Sequence, residues 1–70
     1  MMQPTIRVNG EHEPLGAETL EALLAEKAVD TGQRGIAVAL NGAVVPRAAW
    51  RDTPLRAGDS VEIMRARQGG

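Results

Sequence analysis

Residues 36–46 read IAVALNGAVVP: an alternating apolar run, an Asn-Gly pair, a second short apolar run and a proline. The Asn41-Gly42 pair governs how this stretch folds. A two-residue hairpin turn that matches the twist of its strands needs two successive residues at positive φ. Asn followed by Gly supplies them at the least steric cost. The stretch therefore predicts strand, type I′ turn, strand. Pro46 closes the second strand because it has no N–H to give to a ladder. Toward the N-terminus, residues 5–14, TIRVNGEHEP, repeat the pattern around Asn9-Gly10.

Between the two hairpins lies ETLEALLAEKAVD, residues 18–30. Thr19 is a helix cap whose hydroxyl can accept from a free amide of the first turn. Leu20, Leu23, Leu24 and Ala28 recur at helical spacing on one face, and Glu18 and Glu21 suit the positive end of the helix dipole. The spacing predicts a helix to about Val29, with DTGQRG as the loop out. After Pro46, RAAW reads as a single helical turn. Gly58-Asp59 then turns the chain into a last strand, SVEIMR, with Val61 and Ile63 on one face and Glu62 and Met64 on the other.

Hairpin, helix, hairpin, short turn and final strand make an α+β order. The solution that buries both apolar faces is one main helix across one face of a mixed four- to five-stranded sheet. The final strand belongs beside residues 5–8 in parallel, which is the β-grasp arrangement. The expected domain is residues 1–65, with 66–70 a flexible C-terminal tail ending in Gly-Gly. Ile6, Val8, Leu20, Leu24, Val38, Leu40, Val61 and Ile63 are the core candidates.

Composition limits what such a domain can do. Seventy residues make one domain near the lower size limit for a self-sufficient core. Of the 43% apolar residues, 11 are alanine and only Trp50 is aromatic, so the core rests on 15 Leu, Ile and Val side chains with Met64 as filler. Net charge is −1, which gives no footprint for nucleic acid. The charge is unevenly spread, however: residues 1–35 carry −3 and residues 36–70 carry +2, the latter from Arg47, Arg51, Arg56, Arg65 and Arg67. There is no cysteine, hence no disulfide, thiolate metal site or thioester on the chain's own thiol. No apolar run approaches the roughly 20 residues of a membrane span, and no basic-then-apolar leader is present. A cytoplasmic setting is expected.

The inventory of reactive side chains excludes most catalysis. His12 is the single histidine and sits in a short strand between Glu11 and Glu13, where an exposed edge position is expected. Ser60 has no base beside it, Asp52 and Asp59 suit turns, and no glycine-rich phosphate loop opens a helix. No metal site and no bound cofactor are expected, and the chain reads as a non-enzyme. What remains is the end, RARQGG, residues 65–70. Gly-Gly has no Cβ and can thread a slot too narrow for side chains. Five extended residues reach on the order of 16–18 Å from the fold. This geometry suits a carboxylate presented to another protein's active site.

The stretch ALNGAVVPRAAW (39–50), followed by LRAGDSVEI (55–63) and the terminal Gly-Gly, resembles the thiamine-biosynthesis sulfur carrier family (ThiS) over essentially the whole chain. The resemblance implies a ubiquitin-like β-grasp fold and a carrier cycle. A ubiquitin-activating-type adenylyltransferase would use ATP to adenylate the carboxylate of Gly70. Sulfur from a desulfurase or sulfide would then convert it to a thiocarboxylate, and thiazole synthase would receive that sulfur. Gly69 and Gln68 would thread the partner's channel; Arg47, Trp50, Arg51, Arg65 and Arg67 are candidates for partner docking. Trp50 is read first as packing and Arg47 first as surface. Two other readings stay open: the small subunit of molybdopterin synthase, with the same activation and a different acceptor, and a non-covalent β-grasp interaction module with an inert tail.

Overall fold

A computed structural model of the chain describes residues 3–30, 32 and 34–65. The expected tail with Arg67, Gln68, Gly69 and Gly70 lies outside the described residues, as do Thr31 and Gln33 of the loop after the helix. The elements follow the expected order: β1 (Thr5–Val8), β2 (Glu11–Pro14), α1 (Leu20–Glu26), β3 (Ile36–Leu40), β4 (Ala43–Val45), a 3₁₀ helix (Arg47–Asp52) and β5 (Ser60–Arg65). The sheet is mixed and five-stranded, in the order β2-β1-β5-β3-β4. With α1 across one face, this is the β-grasp arrangement.

Both hairpins turn as their Asn-Gly pairs require. Asn9 and Gly10 have φ of 51° and 86°, and Asn41 and Gly42 have 52° and 87°. β5, last in sequence, occupies the centre of the sheet. It runs parallel to β1 through Arg7↔Ser60 and Val8↔Val61, and antiparallel to β3 from Leu40↔Val61 to Ile36↔Arg65.

Strand parity and helical spacing direct the apolar residues to one layer. Ile6, Leu20, Leu23, Leu24, Val38 and Val61 are at most 1% exposed. Burying each such side chain is worth about 1.5–3 kcal/mol. Leu15, Ile36, Leu40, Val45 and Ile63 pack around them, partly buried. Among the described residues no polar or charged side chain is buried.

Trp50 closes the core at 2% exposure, and its Nε1 donates to the Val45 carbonyl at 2.8 Å. The 3₁₀ helix carrying it is longer than the single turn RAAW, reaching Asp52. Beyond it the chain seals the start of α1. Leu20 N–H donates to Thr53 O at 3.0 Å and Leu55 N–H to Glu18 O at 3.0 Å, while Thr19 Oγ1 accepts from Ala22 N–H at 3.2 Å.

Two expectations need correction. The helix ends at Glu26 rather than near Val29, because Ala28 turns to φ 58°. Val29 N–H then reaches back to Leu24 O at 2.9 Å and Ala28 N–H to Ala25 O at 3.1 Å. This pair of bonds is a Schellman ending, with alanine where glycine is usual. Ala28 is therefore exposed, and Val29 joins the core in its place. Met64 is not a core filler: it lies on the open face of the sheet and is 44% exposed.

Candidate functional site

The site begins at β5, because the segment outside the described residues continues from its last residue. β1 and β3, on either side, turn away from β5 at Asn9 and Asn41, and both asparagines then serve as ladder rungs. Asn9 Oδ1 accepts from Ile63 N–H at 2.8 Å, and Asn41 Oδ1 accepts from Ser60 N–H at 2.9 Å. Asn41 Nδ2 also donates to Asp59 Oδ1 at 3.1 Å, while Asp59 Oδ2 accepts from Arg56 N–H at 2.8 Å. A strand buried at the centre of a sheet must satisfy each of its backbone donors. Here side-chain amides do so where the neighbouring backbone has left.

Arg65 shares the helix side of the sheet with Val61 and Ile63, by the alternation of β5 and its pairing with Ile36. There it lines a groove of about 530 Å³, together with Val8, Val29 and Ile63 and the charged Glu11, Glu13 and Lys27. Glu11 and Glu13 point to this side because they pair with Val8 and Ile6. Lys27 Nζ, at the end of α1, lies 2.6 Å from Glu13 Oε2, with the two side chains 36% and 25% exposed. An ion pair this open to solvent contributes less than about 1 kcal/mol to stability. It does fix where the ammonium sits.

Among the described residues, the opposite face of the sheet carries no helix. Met64 pairs with Ala37, and Val44 with Ala39, so two small residues lie between two larger ones across β5, β3 and β4. Val44 is 69% exposed and Met64 44%. The result is a shallow apolar strip bordered by exposed Glu62, which pairs with Ala39 on the same face, and ending at Met64, one residue before Arg65. On β1 and β2 the same face is polar, with Arg7 Nη2 donating to exposed His12 Nε2 at 3.2 Å.

The candidate docking residues divide between places. Arg65 sits at the end of β5, whereas Arg47 and Arg51 are exposed on the 3₁₀ helix beyond edge strand β4. Trp50 offers no surface for a partner. Its indole is inside the core and instead supports Arg47, whose guanidinium lies 4.9 Å from the ring centroid. Sequence reasoning missed the Val44–Met64 strip and the Lys27–Glu13 pair. The strip was detectable from strand parity in AVV and SVEIMR. The ion pair joins elements 14 residues apart and left no local signal.

A β-grasp body, one helix, an apolar strip and a Gly-Gly segment following the central strand can be set beside known proteins. The ThiS family model matches residues 3–70. This chain belongs to the ThiS family. It is 41% identical over 63 residues to the sulfur carrier protein ThiS of Thermus thermophilus, covering 90% of this chain and 95% of that protein. It is also similar to the crystal structure of the thiamine biosynthesis protein ThiS from Geobacter metallireducens, with a TM-score of 0.77 and 33% identity over 94% of this chain and 99% of that one. The resemblance carried by the Val-Pro-Arg-x-x-Trp stretch thus extends over nearly the full length of this ThiS-family chain. No described helix is long and apolar enough to cross a membrane.

Proposed function

We propose that this chain is the sulfur carrier of thiazole formation in thiamine biosynthesis and acts as a co-substrate of its partner enzymes. The observation that carries the reading is the ThiS-family match through the Gly-Gly pair at residues 69–70. A ubiquitin-activating-type adenylyltransferase converts the Gly70 carboxylate and ATP to an acyl-adenylate and pyrophosphate. Sulfide then displaces AMP to leave a thiocarboxylate, or a desulfurase-derived persulfide displaces it to form an acyl disulfide that a thiol reduces to the same thiocarboxylate, which thiazole synthase consumes. A carboxylate is a poor acyl donor until its oxygen is made a good leaving group, and adenylation achieves this. Carrying the sulfur on the terminal acyl carbon requires no cysteine, and the chain has none. An ATP-dependent cycle of this kind suits a cytoplasmic setting.

The fold supplies the handle for these reactions. Gln68, Gly69 and Gly70 enter the partner's channel, where glycine's missing Cβ permits close backbone approach. The Val44–Met64 strip, with exposed Arg47, Arg51 and Arg65 and with Arg67 of the terminal segment, meets the partner surface. Trp50 takes part only by supporting Arg47 from beneath.

The test is intact mass after incubation with the activating enzyme, ATP and sulfide. The expected change is exchange of one oxygen for one sulfur, absent when Gly70 is deleted although the circular dichroism spectrum is unchanged. A Gly70-deleted chain that still relieved a thiamine requirement would overturn the reading and leave the inert-tailed interaction module in its place.

A further inference from the structure

Each hairpin turn joins an asparagine to a glycine, Asn9-Gly10 and Asn41-Gly42. In such a pair the glycine nitrogen can attack the asparagine side-chain carbon, because no Cβ blocks the approach. The two glycines are held alike. Their φ angles are 86° and 87°, and the space that a Cβ would fill is empty to 4 Å at both. In a two-residue turn the residue after the glycine makes the ladder bond, so each glycine N–H stays outside it. The asparagines are held differently. Asn9 Oδ1 accepts from Ile63 N–H at 2.8 Å, and no hydrogen bond joins its Nδ2 to a described residue. Asn41 is held at both ends: Oδ1 accepts from Ser60 N–H at 2.9 Å and Nδ2 donates to Asp59 Oδ1 at 3.1 Å. Asp59 is itself fixed, with Oδ2 accepting from Arg56 N–H at 2.8 Å.

We propose that Asn9 is a deamidation site, the point at which the folded chain ages, while the Asp59 carboxylate protects Asn41 from the same reaction. The Gly10 N–H gives its proton to water or hydroxide, and the nitrogen attacks Asn9 Cγ to form the N–Cγ bond of a cyclic imide. The Cγ–Nδ2 bond breaks, and Nδ2 takes up a proton and leaves as ammonia. Water then opens the ring at either carbonyl carbon, giving aspartate or isoaspartate. Nothing is oxidised or reduced, and water is the one co-reactant consumed. To meet the glycine nitrogen the side chain must leave its partners. Asn9 gives up one bond, to a neutral amide. Asn41 gives up two, and a bond to a carboxylate is the stronger kind. Isoaspartate at position 9 adds a main-chain carbon to the turn, which no longer fits the two-residue hairpin, and moves the acceptor away from Ile63 N–H. The central strand then loses a rung.

The folded full chain is held in warm neutral buffer beside a sample unfolded in urea, and both are followed by peptide mapping that separates aspartate from isoaspartate. In the folded chain the expected loss of amide is about ten-fold faster at Asn9 than at Asn41, the factor that one hydrogen bond to a carboxylate represents. In urea the two rates converge. Asp59→Ala is expected to raise the rate at Asn41 and leave Asn9 unchanged. If it raises both together the fold has been lost, and the wild-type comparison decides alone. Equal rates in the folded chain, faster loss at Asn41, a difference that persists in urea, or an Asn9 that stays intact while the unfolded sample is consumed each overturns the proposal. So does an Asn41 rate that Asp59→Ala does not change. The isoaspartate fraction, separated by ion exchange, is expected to unfold at a lower urea midpoint than the aspartate fraction; equal midpoints would refute the lost rung.

Discussion

Asn41 holds φ 52° and splits its amide between two tasks: Oδ1 accepts from Ser60 N–H and Nδ2 donates to Asp59. Asn9 holds φ 51° and uses Oδ1 alone, on Ile63 N–H. The two residues look interchangeable in sequence, but their substitution by aspartate should separate them. Asn9→Asp keeps an acceptor for Ile63 and should change stability by less than about 0.5 kcal/mol. Asn41→Asp removes a donor and sets carboxylate against carboxylate, so it should cost about 1–2 kcal/mol. Urea midpoints of the two variants check this; equal midpoints would show that the Asp59 contact contributes nothing. The turn role of each Asn-Gly pair was legible because positive φ is a local demand. The ladder role was not: Ile63 lies 54 residues from Asn9, and no local pattern records such a partner.

At the scale of elements, the ends of α1 show where sequence reasoning stops. Thr19 was readable as a cap, since hydroxyl residues compete for first-turn amides wherever a helix starts. The other end was misread because alanine continues a helix better than it ends one. Val29 decides the matter by entering the core, which forces Ala28 to positive φ. Ala28→Gly should therefore stabilise the domain by about 0.5–1 kcal/mol, the relief of left-handed strain less the added freedom of the unfolded chain. A raised urea midpoint checks it. The 3₁₀ helix depends on Trp50 in a similar way. Trp50→Phe fills most of the space but leaves the Val45 carbonyl without its 2.8 Å donor, which should cost about 1–2 kcal/mol. Trp50→Ala should cost about 3–5 kcal/mol, enough to unfold much of so small a domain. Thermal melts by circular dichroism distinguish these outcomes from a surface role, which would leave all three proteins alike.

For the whole molecule, the sheet separates two surfaces: a helix-covered face with a charged groove, and an open face with an apolar strip. If the strip docks, Val44→Asp should leave the fold intact and weaken engagement with the activating enzyme about ten-fold, or about 1.4 kcal/mol. Arg51→Glu should instead weaken it most at low salt, because exposed charges act through a screened field. Binding titrations at two ionic strengths test both, and unchanged affinities would move the interface elsewhere. The fold class was legible because two turn pairs, one helical period and one alternating strand leave few ways to bury seventy residues. The open-face strip was only half legible: parity placed Met64 opposite Val61, but a count of apolar residues still assigned it to the core.

The position of β5 has a mechanical consequence. A partner that draws the terminal segment into a narrow channel pulls along the axis of the strand to which it is joined. That strand is bonded on both sides, parallel to β1 and antiparallel to β3. A tug along it loads the two ladders in shear, so many hydrogen bonds share the force at once. Were the segment attached to edge strand β2 or β4, the same tug could peel one ladder bond by bond. The carrier can thus be gripped by its end, and withdrawn from a tight site, with little risk of being unravelled.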